Sequence, residues 1–477
     1  MKSEKNMFIV ICFFGLLGLG LVGCQSSESN SNEESDKVTL ELWNNVAAGR
    51  SYFPILIEEF EKENPNIEIE LNNLNVESSE AEYQAAISDE SLPDIFSTDA
   101  LTINEFVNLD LVRELDELFP ADVRDEYNQG VFDEGNASLN GHVYLFPVYK
   151  GGTYYMFYNK QVLNDLGVSK TPTTWEELNE VGQEIYNKSD GATYGLIFGG
   201  QSGWLVEAIT KLFATELSPE SDYDYKNGDY KYATEGYIET MKYMKELREN
   251  KVLSLSTLET DSTVARELFV SGQAAFLIDG NWTGQLLNES GFKDWGVLKL
   301  PTKDQNGKQY GEFGLGSNDG LYVAKDTKHW NEVKKFMEFL RENMYEEILR
   351  DGEPIVAKKI SNFDIDLPFE QMTEISDIFD EMNVRTPDPI VVNSEAQVIE
   401  VETQKNAPDA APGSILMGYL TGQVEDVESE LKKYEEGYNQ AFKDALEDNE
   451  NITQEDFKFP NWVPYEPYTS EDYKELN

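Results

Sequence analysis

Between Val38 and Leu71 the period of the apolar residues changes twice, and that change restricts the chain to one class of fold. Val38 to Trp43 alternates apolar and polar side chains as a strand does. Phe53, Leu56, Ile57 and Phe60 then recur at helical spacing within 52–63. Asn64-Pro65 ends that helix, because proline disfavours helical backbone in the residue before it. Ile67, Ile69 and Leu71 alternate again. Strand, helix and strand in so short a span form a βαβ unit with parallel strands. A parallel pair needs helices on its faces, so the expected class is α/β.

The rest of the chain continues the alternation. Short strands are expected at Leu92–Phe96, Gly141–Pro147, Tyr154–Tyr158, Ala274–Ile278 and Leu321–Ala324. A helix is expected at Lys160–Leu166 and another at Ser262–Val270, closed by Gly272. Thr173 and Thr174 each have a glutamate three residues on, Glu176 and Glu177, and either pair fits a capping box. Asn227-Gly228 within Tyr225–Tyr230 predicts a hairpin turn. Trp330, Val333, Phe336, Met337 and Leu340 mark one helix stripe. Val424, Val427, Leu431, Tyr434, Tyr438 and Phe442 mark a longer one. The aromatics of both stripes are expected in the core. No internal repeat is present.

Residues 1–24 read as an export signal. Lys2 and Lys5 precede an apolar run, Met7 to Val22, that is short and glycine-rich for a membrane span. Leu21-Val22-Gly23-Cys24 resembles the bacterial lipobox, which implies removal of 1–23 and acylation of Cys24. Two acyl chains would hold the protein on the extracytoplasmic face of the cell membrane. Residues 24–37 are almost wholly polar and are expected to be a disordered tether. Cys12 and Cys24 are the two cysteines of the chain, so the folded part has neither disulfide nor thiol chemistry.

Lys and Arg number 38 against 90 Asp and Glu, a formal net charge of −52. That balance excludes nucleic acid as a partner, since phosphate contacts need a basic face. Solubility in a salty or alkaline exterior is the plain reading of the acidity. The sharper one is a site for cationic ligands.

Catalytic patterns are sparse. The two histidines, His142 and His329, lack the neighbourhood of a catalytic base, and no Gly-x-Ser-x-Gly elbow, His-Glu-x-x-His or cysteine pair occurs. Gly18 to Gly23 matches a dinucleotide fingerprint by letter but lies in the export signal. Asp222-Tyr223-Asp224 faintly suggests a calcium loop, and the hairpin reading is preferred to it. With so many acids a glycosidase pair is not excluded by counting. Aromatics and amides gather instead at strand ends: Trp43-Asn44-Asn45, Asp99, Tyr149-Lys150-Gly151-Gly152 and Asp279-Gly280-Asn281-Trp282. Ligands bind outside the carboxyl ends of strands in open α/β sheets. An indole covers the C–H face of a sugar while amides and carboxylates take its hydroxyls.

Four stretches carry a family resemblance. They are Leu40 to Trp43 with the Phe60–Pro65 helix end; Pro93-Asp94-Ile95; Gly141–Pro147 running on through Tyr158-Asn159-Lys160 to Thr174–Leu178; and Phe269–Phe276 with Gly280-Asn281-Trp282. From Val38 to about residue 350 the chain resembles family 1 extracellular solute-binding proteins, the sugar-binding subunits of bacterial ABC importers. The resemblance implies a two-lobed periplasmic-binding-protein-like fold of class II with three interlobe crossovers, near Pro147–Thr153, Val297–Pro301 and 345–355. One lobe would be 38–148 with 302–348, the other 149–296 with 349–477. It implies Trp282 as a stacking platform, Asp99 as a ligand carboxylate and Trp204 on the cleft wall. With the strand-end residues, the expected ligand set is Trp43, Asn44, Asp99, Tyr149, Lys150, Trp204, Asn281 and Trp282. Asn44-Asn45 stands where maltose-binding members carry a charged pair, Lys150-Gly151 offers no acid, and 390–415 holds no tryptophan, so maltose specificity is not implied.

The expected function is capture of a carbohydrate, an oligosaccharide, for an ABC permease by a monomer without catalytic residue, cofactor or metal. The alternatives are a secreted carbohydrate-active enzyme and a non-transport ligand sensor. Changing Cys24→Ser should leave an unprocessed precursor or release the protein. Cell fractionation with labelled fatty acid reads this, and normal processing and retention would refute acylation.

Overall fold

The unit at the start of the folded part forms as its periodicity requires. Val38–Asn44 (β1) and Ile67–Asn73 (β2) pair in parallel, Val38 opposite Ile67 through Asn44 opposite Asn73. The helix Gly49–Glu63 connects them and buries Tyr52, Phe53, Leu56, Ile57 and Phe60. The structure, a computed structural model, describes residues 37–46, 49–75, 79–98, 100–220, 222–312, 315 and 319–476. The export signal, Cys24 and Asp99 lie outside the described residues.

The further strands are β3 (Ile95–Phe96), β4 (Ser138–Leu139), β5 (His142–Val143), β6 (Phe146–Pro147), β7 (Tyr154–Asn159) and β8 (Tyr194–Ile197). Then come β9 (Asp222–Asp224), β10 (Asp229–Lys231), β11 (Ala274–Gly280), β12 (Trp295–Leu298), β13 (Gly311–Glu312), β14 (Gly320–Val323) and β15 (Asn383–Val384). One sheet has the order β2-β1-β3-β14-β6, with β14 antiparallel to both neighbours. The other has the order β12-β7-β11-β8, with β7 antiparallel to its neighbours and β11 parallel to β8. Each sheet has its own core. Leu40, Leu42, Ile95, Phe146 and Val323 pack with Phe336 and Met337 of the helix Trp330–Asp351. Met156, Phe157, Leu196, Phe276 and Trp295 build the second core.

One expectation is corrected. Gly141–Pro147 is two short strands, because the Ala137 carbonyl takes the amides of both Tyr144 and Leu145 and turns the chain there. Beyond Val297–Pro301, Gly311–Glu312 pairs with Asn383–Val384, and Tyr310 packs with Tyr223, Phe459 and Trp462. Around and beyond 345–355, Val356, Ala357 and Met372 pack in the first core while Ile355 and Ile375 pack in the second. At the caps, Thr174 is the N-cap, accepting the Glu177 amide at 3.3 Å, and Glu177 reaches back to the amide and hydroxyl of Thr173.

The carboxyl-terminal part wraps the β9–β10 hairpin. Asp224 Oδ1 accepts the amides of Lys226 and Asn227 and so closes the turn. Tyr230 meets Tyr438 of the helix Val427–Glu447 at 4.5 Å between centroids, and Tyr225 meets Trp462 at 4.8 Å. Tyr468 of the tail donates its amide to Arg385 at 2.8 Å.

The helix Trp175–Lys188 lies on β8 through a glycine contact. A Cβ at Gly195 would fall 2.6 Å from Gly182 Cα and 2.9 Å from Val252 Cγ1. Such overpacking costs about 1–3 kcal/mol. Gly195→Ala should therefore lower the melting temperature, whereas Gly203→Ala, with nothing within 4 Å of the added carbon, should not. Equal melting of the two variants would refute the close contact.

Candidate functional site

All seven residues of β11 are buried, so its carboxyl end is a fixed platform. Asp279 there is fully buried and paired with Arg266 at 2.7 Å. Gly280 follows because the Trp282 indole folds back over its α-carbon, where any side chain would collide. Asn281 joins two connections. Its amide donates to the Thr153 carbonyl at 3.1 Å, its Oδ1 accepts the Thr153 amide at 3.2 Å, and its Nδ2 donates to Glu353 at 3.2 Å. Glu353 also accepts the Ile355 amide at 2.7 Å. Burial pushes Glu353 up to about 7, against the pull of those two hydrogen bonds.

Trp282 turns its edge to Tyr154, 6.2 Å between centroids at 85°, and lies 5.7 Å from Trp204. Trp204 opens the helix Gly203–Ala214 and is 49% exposed, unusually high for tryptophan. Gly152 of the first connection has Trp282 as a near neighbour; a Cβ there would lie 3.8 Å from the indole. Two indoles and a phenol thus form an open apolar corner beside the connections. Such a corner suits the C–H face of a ring bearing hydroxyls. One turn beyond Trp204, Glu207 accepts the Gly413 amide at 2.6 Å, and burial pushes it up to about 7.

Of the expected ligand set, Trp204, Asn281 and Trp282 come together. Tyr149 and Lys150 belong to the packing of the connection instead. Tyr149 is 7% exposed with its hydroxyl 3.0 Å from that of Tyr52, and Lys150 Nζ pairs with Asp380 at 2.6 Å over the Phe379 ring. Asn44 is fully buried and holds the turn after β1, bonding Val46 and Asn73. Trp43 packs edge-on against buried Tyr83 at 5.5 Å. Sequence reasoning missed Tyr154, Glu207 and Glu353. Glu207 follows Trp204 by one helical turn, a readable signal, whereas nothing local marks Glu353. Elsewhere among the described residues, Glu114, Asp116 and His142 hold ligand atoms within 4.8 Å of one another on the surface, with Arg124 also on Asp116.

The family of bacterial extracellular solute-binding proteins matches residues 43–347. The chain belongs to that family. This solute-binding protein is 22% identical over 405 residues to the maltotriose-binding protein of Pyrococcus abyssi, covering 83% of this chain and 80% of that one. It is 21% identical to the multiple sugar-binding protein of Streptococcus mutans, over 76% of this chain and 85% of that one. It shares the fold of the GacH receptor of Streptomyces glaucescens with a TM-score of 0.68 at 18% identity, over 86% of this chain and 99% of that one. The two sheets and their three connections are accordingly the two-lobed architecture of extracytoplasmic binding proteins.

In the solute-binding protein Glu353 sits where first and third connections meet. Its raised value means that the folded state holds its proton more tightly than the unfolded chain. Its contribution is full at acid pH and is lost as pH rises toward and beyond 7. Glu353→Gln should therefore gain melting temperature relative to the parent between pH 5 and pH 8. A difference that does not change with pH would refute the buried carboxyl.

Proposed function

We propose that this protein captures an oligosaccharide between its lobes and presents it to the permease of an ABC importer, working as a monomer held to the membrane by lipid on Cys24. The observation that carries the reading is the corner in which Trp282 and the exposed Trp204 follow the carboxyl ends of β11 and β8, with Tyr154 opening the antiparallel β7 beside them, against the connections. Similar proteins named for maltotriose and for multiple sugars support a sugar over other solutes. The lobes are the residues around the two cores, 38–148 with β14 and its helix on one side and the second sheet with the carboxyl-terminal helices on the other. Glycines at 151 and 152, the former at φ +108, give the first connection freedom to bend, so the lobes close on the sugar. The protein binds and does not cleave. The rival is a carbohydrate-active enzyme, which would consume its glycan.

Calorimetric titration over a glycan panel tests this, with Trp282→Ala beside the parent. Loss of a cleft indole costs about 2 kcal/mol of binding, about thirtyfold in affinity. Melting should change little, because Trp282 is only partly buried. The matched glycan should be recovered intact after prolonged incubation. Unchanged affinity in Trp282→Ala would refute the platform, and reducing sugar released in proportion to protein would favour the enzyme.

A further inference from the structure

Beside the β9–β10 hairpin is a second cavity, of about 610 Å³, that the aromatic corner does not use. Its wall includes Gly135 and Asn136 from the first-core side, and the hairpin, the segment Arg385–Ile390 and Glu400 from the other. Four carboxylates, of Asp222, Glu312, Asp388 and Glu400, line it against two cations, Lys211 and Arg385. Both cations are engaged. Lys211 Nζ bridges Asp222 at 2.7 Å and Glu312 at 2.9 Å. Arg385 pairs with Asp133 outside the cavity and donates to the Glu134 carbonyl at 3.3 Å. Asp388 has one oxygen on the Ile390 amide at 2.8 Å. Glu400 has neither hydrogen bond nor ion pair among the described residues.

The surroundings of Glu400 are aromatic. Tyr223, Tyr230 and Tyr438 feel its charge, and their rings form a continuous wall, Tyr223 to Tyr230 at 5.0 Å and Tyr230 to Tyr438 at 4.5 Å. Glu400 is half-buried in this wall, and its partial removal from water, with repulsion from Asp388 and Glu312, pushes it up to about 8. When ionised, a carboxylate so placed has no cation of the protein within ion-pair distance among the described residues, since Lys211 and Arg385 are held by other acids. The acids of the cavity are not gathered as a metal cluster: among the described residues three carboxylate or imidazole ligand atoms come within 4.8 Å of one another only at Glu114, Asp116 and His142. An anion is excluded by the acids. A larger cation, with positive charge spread over N–H or N–CH groups, satisfies the carboxylates and faces the rings favourably.

We propose that this cavity binds an organic ammonium group, with Glu400 and Asp388 as counter-ions and the tyrosines as walls. The site stands independently of the sugar reading. Its guest is either a free polyamine or the amine of an amino sugar, and the two are told apart by experiment.

The test is calorimetric titration of the intact protein at pH 7.5 and low salt with spermidine, with the glucosamine disaccharide and with its N-acetylated form. At least one amine should bind, its N-acetylated counterpart more weakly. Glu400→Gln and Asp388→Asn should each weaken it about tenfold or more. Binding should also release protons from the parent, seen as heats that differ between buffers, and not from Glu400→Gln. Glu400→Gln should melt no lower than the parent, which separates lost binding from lost fold. Spermidine affinity unaffected by Trp282→Ala assigns a free polyamine; binding of the amino disaccharide alone assigns the sugar amine. No binding of either amine at millimolar concentration, equal affinity of the N-acetylated sugar, or undiminished affinity in both carboxyl variants would overturn the proposal.

Discussion

The amide of Asn281 is where this structure is tied together. Two sheets with separate cores are joined by thin connections, and no disulfide is available beyond Cys24 to fix them. Asn281 holds the first connection through both backbone groups of Thr153 and the third through Glu353. It does so from the end of a fully buried strand, so its position is set by the second core. The adjacent Trp282 inherits that position. The aromatic corner is therefore placed relative to the connections by one side chain and one strand end.

The charge of the chain works differently inside and outside. Most ion pairs are exposed, such as Lys62–Glu58 and Lys432–Glu428, and contribute little each. The excess acid on the surface makes the compact state self-repelling at low salt and keeps it soluble. A few carboxyls are withdrawn from water without full compensation, Glu353 buried and Glu207 and Glu400 half-buried; Glu207, Glu353 and Glu400 are pushed to about 7, 7 and 8. They lie along the helix after Trp204, at the connections and at the hairpin cavity. Their placement at seams, rather than in the two cores, is where buried charge can serve binding or movement.

The carboxyl-terminal layer gives the hairpin a setting that short hairpins lack by themselves. Tyr223, Tyr225 and Tyr230 are covered by Tyr438, Phe442, Phe457 and Trp462. The same layer carries the segment that reaches the first-core side, where Asp388 Oδ2 sits so close to Gly135 that a Cβ there would lie 2.6 Å away. One segment thus touches both sides of the molecule without the Asn281 staple.

What the sequence determined by itself was local. The switch between two-residue and helical periods in 38–71 set the parallel pair, because burial on one face dictates backbone geometry within a few residues. Asn227-Gly228 set the hairpin turn, and the aromatic stripes set the long helices. The buried run before Asp279-Gly280-Asn281-Trp282 was enough to place Trp282 at a strand end. Tertiary structure decided which polar side chains are taken up by the fold. Asn44 and Lys150 carry groups that suit a sugar, yet Asn44 completes a turn and Lys150 finds Asp380, 230 residues away. Glu353 and Glu400 have no local mark at all. Their character comes from burial against partners distant in sequence, such as Asn281 and Tyr223, and only the folded chain brings those together.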